Sequence, residues 1–141
     1  MIKSGADIID VGGESTRPGS KIISTYDELK RVQKIIQRFK KKNPKTLLSI
    51  DTRKSKIIEK SIQYGADIIN DVSCFRFDRN SFEIVKNKNI WKIIHHMQGT
   101  PQTMQKNPYY DHVLLDIYDF FEREIFKFSK YKHKDKIILD P

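Results

Sequence analysis

The feature that most constrains this chain is the alternation of short, β-branched apolar runs with longer amphipathic segments. We predict five strands, each with consecutive apolar residues at its centre, at 6–11, 46–51, 67–72, 91–97 and 136–140. Continuous apolar centres are typical of strands that are covered on both faces. Because strands that alternate with helices form a mostly parallel sheet, the sequence predicts an α/β fold.

Four predicted helices lie between these strands, at 25–41, 55–64, 80–87 and 109–129. In the first, the apolar residues follow a helical stripe: Leu29, Val32, Ile35, Ile36 and Phe39. We predict Thr25, Ser55 and Asn80 as N-caps and Gly65 as a left-handed helix stop. The segment 5–10 recurs almost unchanged as 65–70, which indicates a repeating βα unit.

Composition and charge argue against several function classes. The single cysteine, Cys74, cannot form an internal disulfide, so we predict a cytoplasmic protein in which Cys74 is a packing residue. The apolar runs are far shorter than the roughly 20 residues of a membrane span. The net charge of +9 comes largely from lysines in runs such as 40–42 at a predicted helix end, where cations suit the helix dipole. We therefore predict neither a membrane nor a nucleic-acid partner.

Polar side chains stand where each predicted strand ends, and they are Asp10, Asp51, Asn70, Asp71, His95, His96 and Asp140. Any single one of them fits a helix cap equally well. Five strand ends in succession are different, because converging polar groups need a ligand, a metal or each other. Since ligands meet the carboxyl ends of parallel strands, we predict a polar site at that edge of the sheet.

The loop 12–19 contains three glycines together with Ser15, Thr16 and Arg17, a composition that suits an anion. It lacks the spacing of a dinucleotide-binding fingerprint. A zinc site built from His95 and His96 is disfavoured, because adjacent strand residues point to opposite faces. We predict His112 and His133 to be surface residues.

The segment 5–19, GADIIDVGGESTRPG, resembles the signature of dihydropteroate synthases, and further matches follow in order at 49–52, 68–71, 96–101 and 138–141. The resemblance covers residues 1–141 as one partial pterin-binding domain. It implies a TIM-type (β/α)8 barrel, here an incomplete piece with about five parallel strands that lacks the family's first strand and its last two.

The resemblance implies that para-aminobenzoate condenses with 6-hydroxymethyl-7,8-dihydropterin diphosphate to give 7,8-dihydropteroate and pyrophosphate in folate biosynthesis. By position, Asp51, Asn70 and Asp140 match residues that hold the pterin ring, and Met97 would line its pocket. Asp51 is the candidate to stabilise developing positive charge. Thr16 matches a substrate-contacting residue, and the adjacent Arg17 (a second catalytic candidate) and Pro18 would close over the diphosphate.

Magnesium accompanies the diphosphate in that family, and homodimers are usual at full length. The family's magnesium-binding Asn, pocket Lys, and diphosphate-binding Arg and His have no counterpart here, so the metal ligands are unknown and this piece alone is expected to be inactive. Two alternatives stay open. One is a methyltransferase domain that binds methyltetrahydrofolate, against which segments 14–19 and 96–101 argue. The other is no enzyme at all, either an inactive truncated relic or a basic protein that associates with nucleic acid through its lysines.

Overall fold

The computed structural model describes residues 1–17 and 19–141, and in them five strands alternate with four α-helices. The strands are β1 (Ile8–Gly12), β2 (Leu47–Asp51), β3 (Ile68–Asp71), β4 (Trp91–His95) and β5 (Ile137–Asp140). The helices are α1 (Thr25–Lys42), α2 (Ser55–Gln63), α3 (Arg79–Val85) and α4 (Val113–Phe128). A short 3₁₀ turn, Ile2–Ser4, precedes β1.

All five strands are parallel and lie side by side in chain order, which confirms the predicted α/β class. Parallel neighbours need a crossover connection, and each of the four connections contains one helix. In the register of the sheet, Gly12 lies beside Asp51, Asp51 beside Asn70, and His95 beside Asp140. The carboxyl ends of the strands therefore meet at one edge.

The helices pack on one face of this sheet. Leu48, Ile50, Ile69 and Ile94 are fully buried there against helical side chains, which include Val32, Ile36, Ile57, Ile58, Val85, Phe121 and Phe128. Fully burying one such side chain contributes about 1.5–3 kcal/mol, so this layer supplies most of the fold's apolar stabilisation. The alternate residues of the strands, among them Ser49, Asp51 and Asn70, point to the opposite face.

The predicted helix caps are wrong in position. Ser24, not Thr25, caps α1, because its hydroxyl accepts a hydrogen bond from the Asp27 amide at 3.0 Å. Asp78, not Asn80, caps α3 by accepting from the Asn80 amide at 3.0 Å. Ser55 makes no side-chain cap of its own. The other oxygen of Asp78 instead accepts from the Ser55 amide at 2.9 Å, so one carboxylate serves the starts of two helices.

The prediction for α4 is wrong by four residues at its start, since the helix begins at Val113 rather than at 109. The side chain of Gln98 donates to the Tyr109 carbonyl at 2.6 Å and accepts from the Tyr109 amide at 3.1 Å, which holds that backbone in a loop. The predicted stop at Gly65 is confirmed by its φ of 97°, and Gly5 has a φ of 92°. The repeated sequence is thus also a repeated conformation.

Cys74 is buried, as predicted for a packing residue. Its thiol donates to the His95 carbonyl at 3.0 Å, and burial raises the pKa of the thiol to about 12. Within the described ranges, none of the helices is long and apolar enough to cross a lipid bilayer.

Candidate functional site

The sheet face opposite the helices carries a row of polar side chains at the strand ends. Asp51 and Asn70 are direct neighbours in the register of β2 and β3. Asn70 pairs with Ile93 of β4, and His95 lies two residues beyond Ile93 on the same strand. Asp140 of β5 lies beside His95. Because side chains two residues apart on a strand share a face, Asp51, Asn70 and Asp140 all lie on this surface, which we call the open face.

Three oxygen atoms of the open face are buried and have no hydrogen-bond partner among the described residues: Ser49 Oγ, Asp51 Oδ1 and Asn70 Oδ1. Leaving a buried polar atom unpaired costs about 1–3 kcal/mol, and folded proteins keep few of them. Their clustering on two adjacent strands indicates a surface that is shaped to bind a polar ligand.

Asp51 is the most perturbed acid of this surface. Burial, followed by the negative charges of Asp10, Asp71 and Glu28, raises its pKa from 3.8 to about 7, while His95 acts in the opposite direction. At neutral pH this carboxyl group is present in both protonation states. It can therefore donate a hydrogen bond in one form and accept in the other, and it can take part in proton transfer.

Asp71, the residue after Asn70, points to the helix side and is fully satisfied. It accepts from the amide and hydroxyl of Ser73, at 2.8 and 2.6 Å, and from the amide of Phe75 at 3.1 Å. Burial raises its pKa to about 6 in spite of these bonds. They hold the chain where Cys74 and Phe75 have positive φ angles of 52° and 61°, so Asp71 shapes the loop rather than the open face.

The loop after β1 is fixed by a buried ion network that we call the loop anchor: Glu14, Glu28, Thr52, Arg53 and Lys54. Glu14 pairs with Arg53 Nε at 3.0 Å and with Lys54 Nζ at 2.7 Å, and Lys54 Nζ also reaches Glu28 at 2.7 Å. The Thr52 hydroxyl donates to Glu28 at 2.5 Å. Burial alone would raise the pKa of Glu14, but hydrogen bonds from Lys54, Ile23 and Arg53 lower it. Glu14 is thus an ionised structural group.

Gly13 is required where this loop crosses α1. A Cβ atom at that position would lie 2.8 Å from Cγ of Glu28 and 2.9 Å from Cγ1 of Val32, which is too close for any other residue. Arg31 also donates to the Gly13 carbonyl at 2.9 Å. The first part of the loop is therefore held against α1 and the residues that follow β2.

Thr16 and Arg17 lie beyond this anchored part. Thr16 is half-buried and Arg17 is exposed. In the ranges that the structure describes, no hydrogen bond or ion pair joins either side chain to the open face, and Pro18 lies outside those ranges. The structure thus places Asp51, Asn70 and Asp140 of the predicted site on one face of the sheet, and no described hydrogen bond or ion pair joins Thr16 or Arg17 to them.

Met97 follows β4 and lines a cavity of about 290 Å³ together with Arg53, Ser73, Phe77 and Pro101. The adjacent His96 turns to the helix side and packs its ring on Phe120, at 4.9 Å between ring centroids. His95 points to the open face, so the prediction that the two histidines diverge is confirmed.

Sequence reasoning placed Asp10 and His95 at the strand ends, but it missed Ser49 and the loop anchor. Ser49 shares the open face with Asp51, and the signal for it was the two-residue alternation along β2. Glu14 and Lys54 form the loop anchor although they are 40 residues apart, and nothing in the local sequence indicates that pairing.

The entire chain, residues 1–141, matches the family described as pterin binding enzyme. The chain belongs to that family. It is 39% identical over 146 residues to the dihydropteroate synthase of Escherichia coli K12, covering 100% of this chain and 50% of that relative. The Synechocystis dihydropteroate synthase is 34% identical over 142 residues, covering 100% of this chain and 49% of its own length. The chain thus spans about half the length of these curated relatives.

Solved structures of the family also match nearly the whole of this chain. The Yersinia pestis dihydropteroate synthase in complex with a sulfonamide drug matches with a TM-score of 0.92 at 36% identity, over 99% of this chain and 50% of that one. The Burkholderia cenocepacia enzyme complexed with 7,8-dihydropteroate matches with a TM-score of 0.87 at 36% identity, again over 99% and 50%. These barrels confirm the predicted fold, of which this family member forms five consecutive parallel strands.

Proposed function

We propose that this chain supplies the pterin-binding half of a dihydropteroate synthase, which joins para-aminobenzoate to 6-hydroxymethyl-7,8-dihydropterin diphosphate and releases pyrophosphate. The observation that carries the proposal is the open face. There Asp51, Asn70 and Asp140 point the same way, and one oxygen each of Asp51 and Asn70 is buried without a partner. The similarity to an enzyme solved with 7,8-dihydropteroate supports it.

The residue types suit a pterin ring. The ring edge presents N–H donors beside acceptors, so carboxylates can accept from it while the Asn70 amide can both donate and accept. Each bond satisfied on the open face removes the cost of an unpaired buried atom. Binding would therefore favour a ligand with this donor pattern over an apolar ring of equal size.

Asp51 is proposed as the catalytic carboxylate. When the carbon–diphosphate bond breaks before the amine attacks, positive charge develops next to the ring, and a neighbouring carboxylate stabilises it. The pKa of about 7 means that a nearby positive charge would shift Asp51 towards its ionised form. Thr16 and Arg17 are proposed to contact substrate and diphosphate from the loop after β1, and Met97 to line the pterin pocket.

Magnesium is proposed to accompany the diphosphate. Among the described residues, no group of three or more His, Cys, Asp or Glu side chains lies close enough together to hold a metal ion. The open-face acids therefore do not fit a resident magnesium site, and we assign no ligand to it.

We further propose a cytoplasmic homodimer, with turnover belonging to a protein of the relatives' full length.

The test is titration calorimetry of the chain with 6-hydroxymethyl-7,8-dihydropterin diphosphate. Asp51→Ala and Asn70→Ala should each weaken binding about 10- to 100-fold, because each removes a buried hydrogen bond worth roughly 1.5–3 kcal/mol to a polar ligand. In the full-length protein, Asp51→Ala should abolish dihydropteroate formation. Asp27→Ala, at an exposed acid of α1, is the control and should bind as the parent does. Unchanged affinity in Asp51→Ala would refute the proposal, as would a parent chain that binds no pterin.

A further inference from the structure

We propose that His95 is a positioning residue that fixes the carboxylate of Asp140 for the ligand. The inference rests on the proposed function, in which Asp140 holds the pterin ring. Nδ1 of His95 lies 3.0 Å from Oδ2 of Asp140, and the two residues are direct neighbours in the register of β4 and β5. The contact is thus built into the sheet rather than made by a mobile loop.

The chemical groups of the pair determine which atom donates the hydrogen bond and which accepts it. An ionised carboxylate only accepts, so Nδ1 of His95 donates and Oδ2 of Asp140 is occupied. The other oxygen, Oδ1, stays available to accept from a ring N–H. The Asp140 side chain is about half exposed, at 53%, so without this bond its carboxylate would rotate freely before binding. Ordering that group in advance removes an entropic cost from ligand binding.

His95 is itself held in place from the other side of the sheet. The buried Cys74 thiol donates to its backbone carbonyl at 3.0 Å, which fixes the end of β4. The next residue, His96, packs on Phe120 and does not compete for Asp140.

A double-mutant cycle tests this role, with 6-hydroxymethyl-7,8-dihydropterin diphosphate as the probe and calorimetry as the readout. His95→Leu should weaken binding about five- to tenfold, because the Asp140 carboxylate must then be ordered at the moment of binding. His95→Asn, which keeps a donor near the position of Nδ1, should recover most of that loss. In an Asp140→Ala background, His95→Leu should change affinity less than about twofold. His112→Leu, at an exposed histidine before α4, is the matched control.

A second readout needs no ligand. In the ¹⁵N spectrum of the histidine rings, Asp140→Ala should shift the Nδ1 resonance of His95 and leave those of His96 in place. An unmoved His95 resonance would overturn the inference, even if His95→Leu failed to fold.

The outcomes also separate the two proposals. If the parent protein binds the probe and His95→Leu binds it equally well, the role of His95 is overturned and the proposed function is not. An equal loss in the presence and absence of Asp140 shows that His95 does not act through Asp140, which overturns it too. A parent that binds no pterin overturns the proposed function, and this inference falls with it.

Discussion

The loop anchor and the open face both contain buried polar side chains, but in the described part of the chain only those of the loop anchor are paired. In the loop anchor, Glu14 and Glu28 are almost fully buried, and both pair with Lys54 at 2.7 Å. On the open face, Asp51 keeps one buried oxygen without a partner among the described residues, and so does Asn70. The same sheet edge thus contains a satisfied set and an unsatisfied set.

The difference separates polar groups that stabilise the fold from polar groups that are available to a ligand. Buried charges that are paired and hydrogen-bonded hold a conformation, and removing one partner leaves an uncompensated charge. Buried polar atoms without partners contribute nothing to the fold and lower its stability until a ligand satisfies them. We infer that the loop anchor fixes the loop after β1, whereas the open face is kept for the ligand. This predicts opposite stability effects for substitutions in the two sets.

The largest effect should come from Lys54→Met, which leaves both Glu14 and Glu28 buried without their shared cation. We expect the free energy of unfolding to fall by about 3–5 kcal/mol, as measured by urea denaturation at neutral pH. The matched control is Lys56→Met, two residues away, where the partner Glu59 belongs to an exposed ion pair that contributes little to stability. A Lys54→Met protein as stable as this control would show that the loop anchor is not structural.

Asp51→Asn should act in the other direction and stabilise the free protein. The folded-state pKa of Asp51, about 7, lies above its ordinary value of 3.8, so the folded state binds this proton more tightly than the unfolded state. Its contribution to stability is therefore fully present below about pH 4 and is lost as pH rises towards 7. Asparagine stays neutral at every pH, so above pH 7 the variant buries no negative charge at this position. Its free energy of unfolding should then exceed that of the parent by roughly 1–3 kcal/mol.

Urea denaturation from pH 4 to 8 measures this slope. Asp71 still titrates in the variant, with a raised pKa of about 6, so the slope should shrink rather than vanish. Glu122→Gln, at an exposed acid of α4, should leave the slope unchanged. If Asp51→Asn proves no more stable than the parent at pH 8, the open face is not strained by its own charge.

The sequence predicted the open face better than the loop anchor, and the reason is geometric. Parallel strands bring their carboxyl ends to one edge, and two-residue alternation puts Asp51, Asn70 and Asp140 on one face, so strand positions alone determine that cluster. The pairing of Glu14 with Lys54 joins residues that are 40 positions apart in the chain. The contacts of Gln98 with Tyr109, which keep residue 109 out of α4, join residues that are 11 positions apart. No local propensity encodes contacts of that kind.

The smallest and most discriminating comparison is between two hydroxyls, that of Ser49 within β2 and that of Thr52 directly after it. Thr52 donates to Glu28 at 2.5 Å within the loop anchor, whereas Ser49 Oγ on the open face has no partner in the described ranges. Thr52→Val should cost about 1–2 kcal/mol, because it keeps the shape and removes the bond to a buried carboxylate. Ser49→Ala removes an atom that makes no bond, so the free energy of unfolding should change by no more than about 0.5 kcal/mol or rise slightly. Equal losses in the two variants would mean that Ser49 is satisfied in solution, and the contrast between the loop anchor and the open face would not hold at β2.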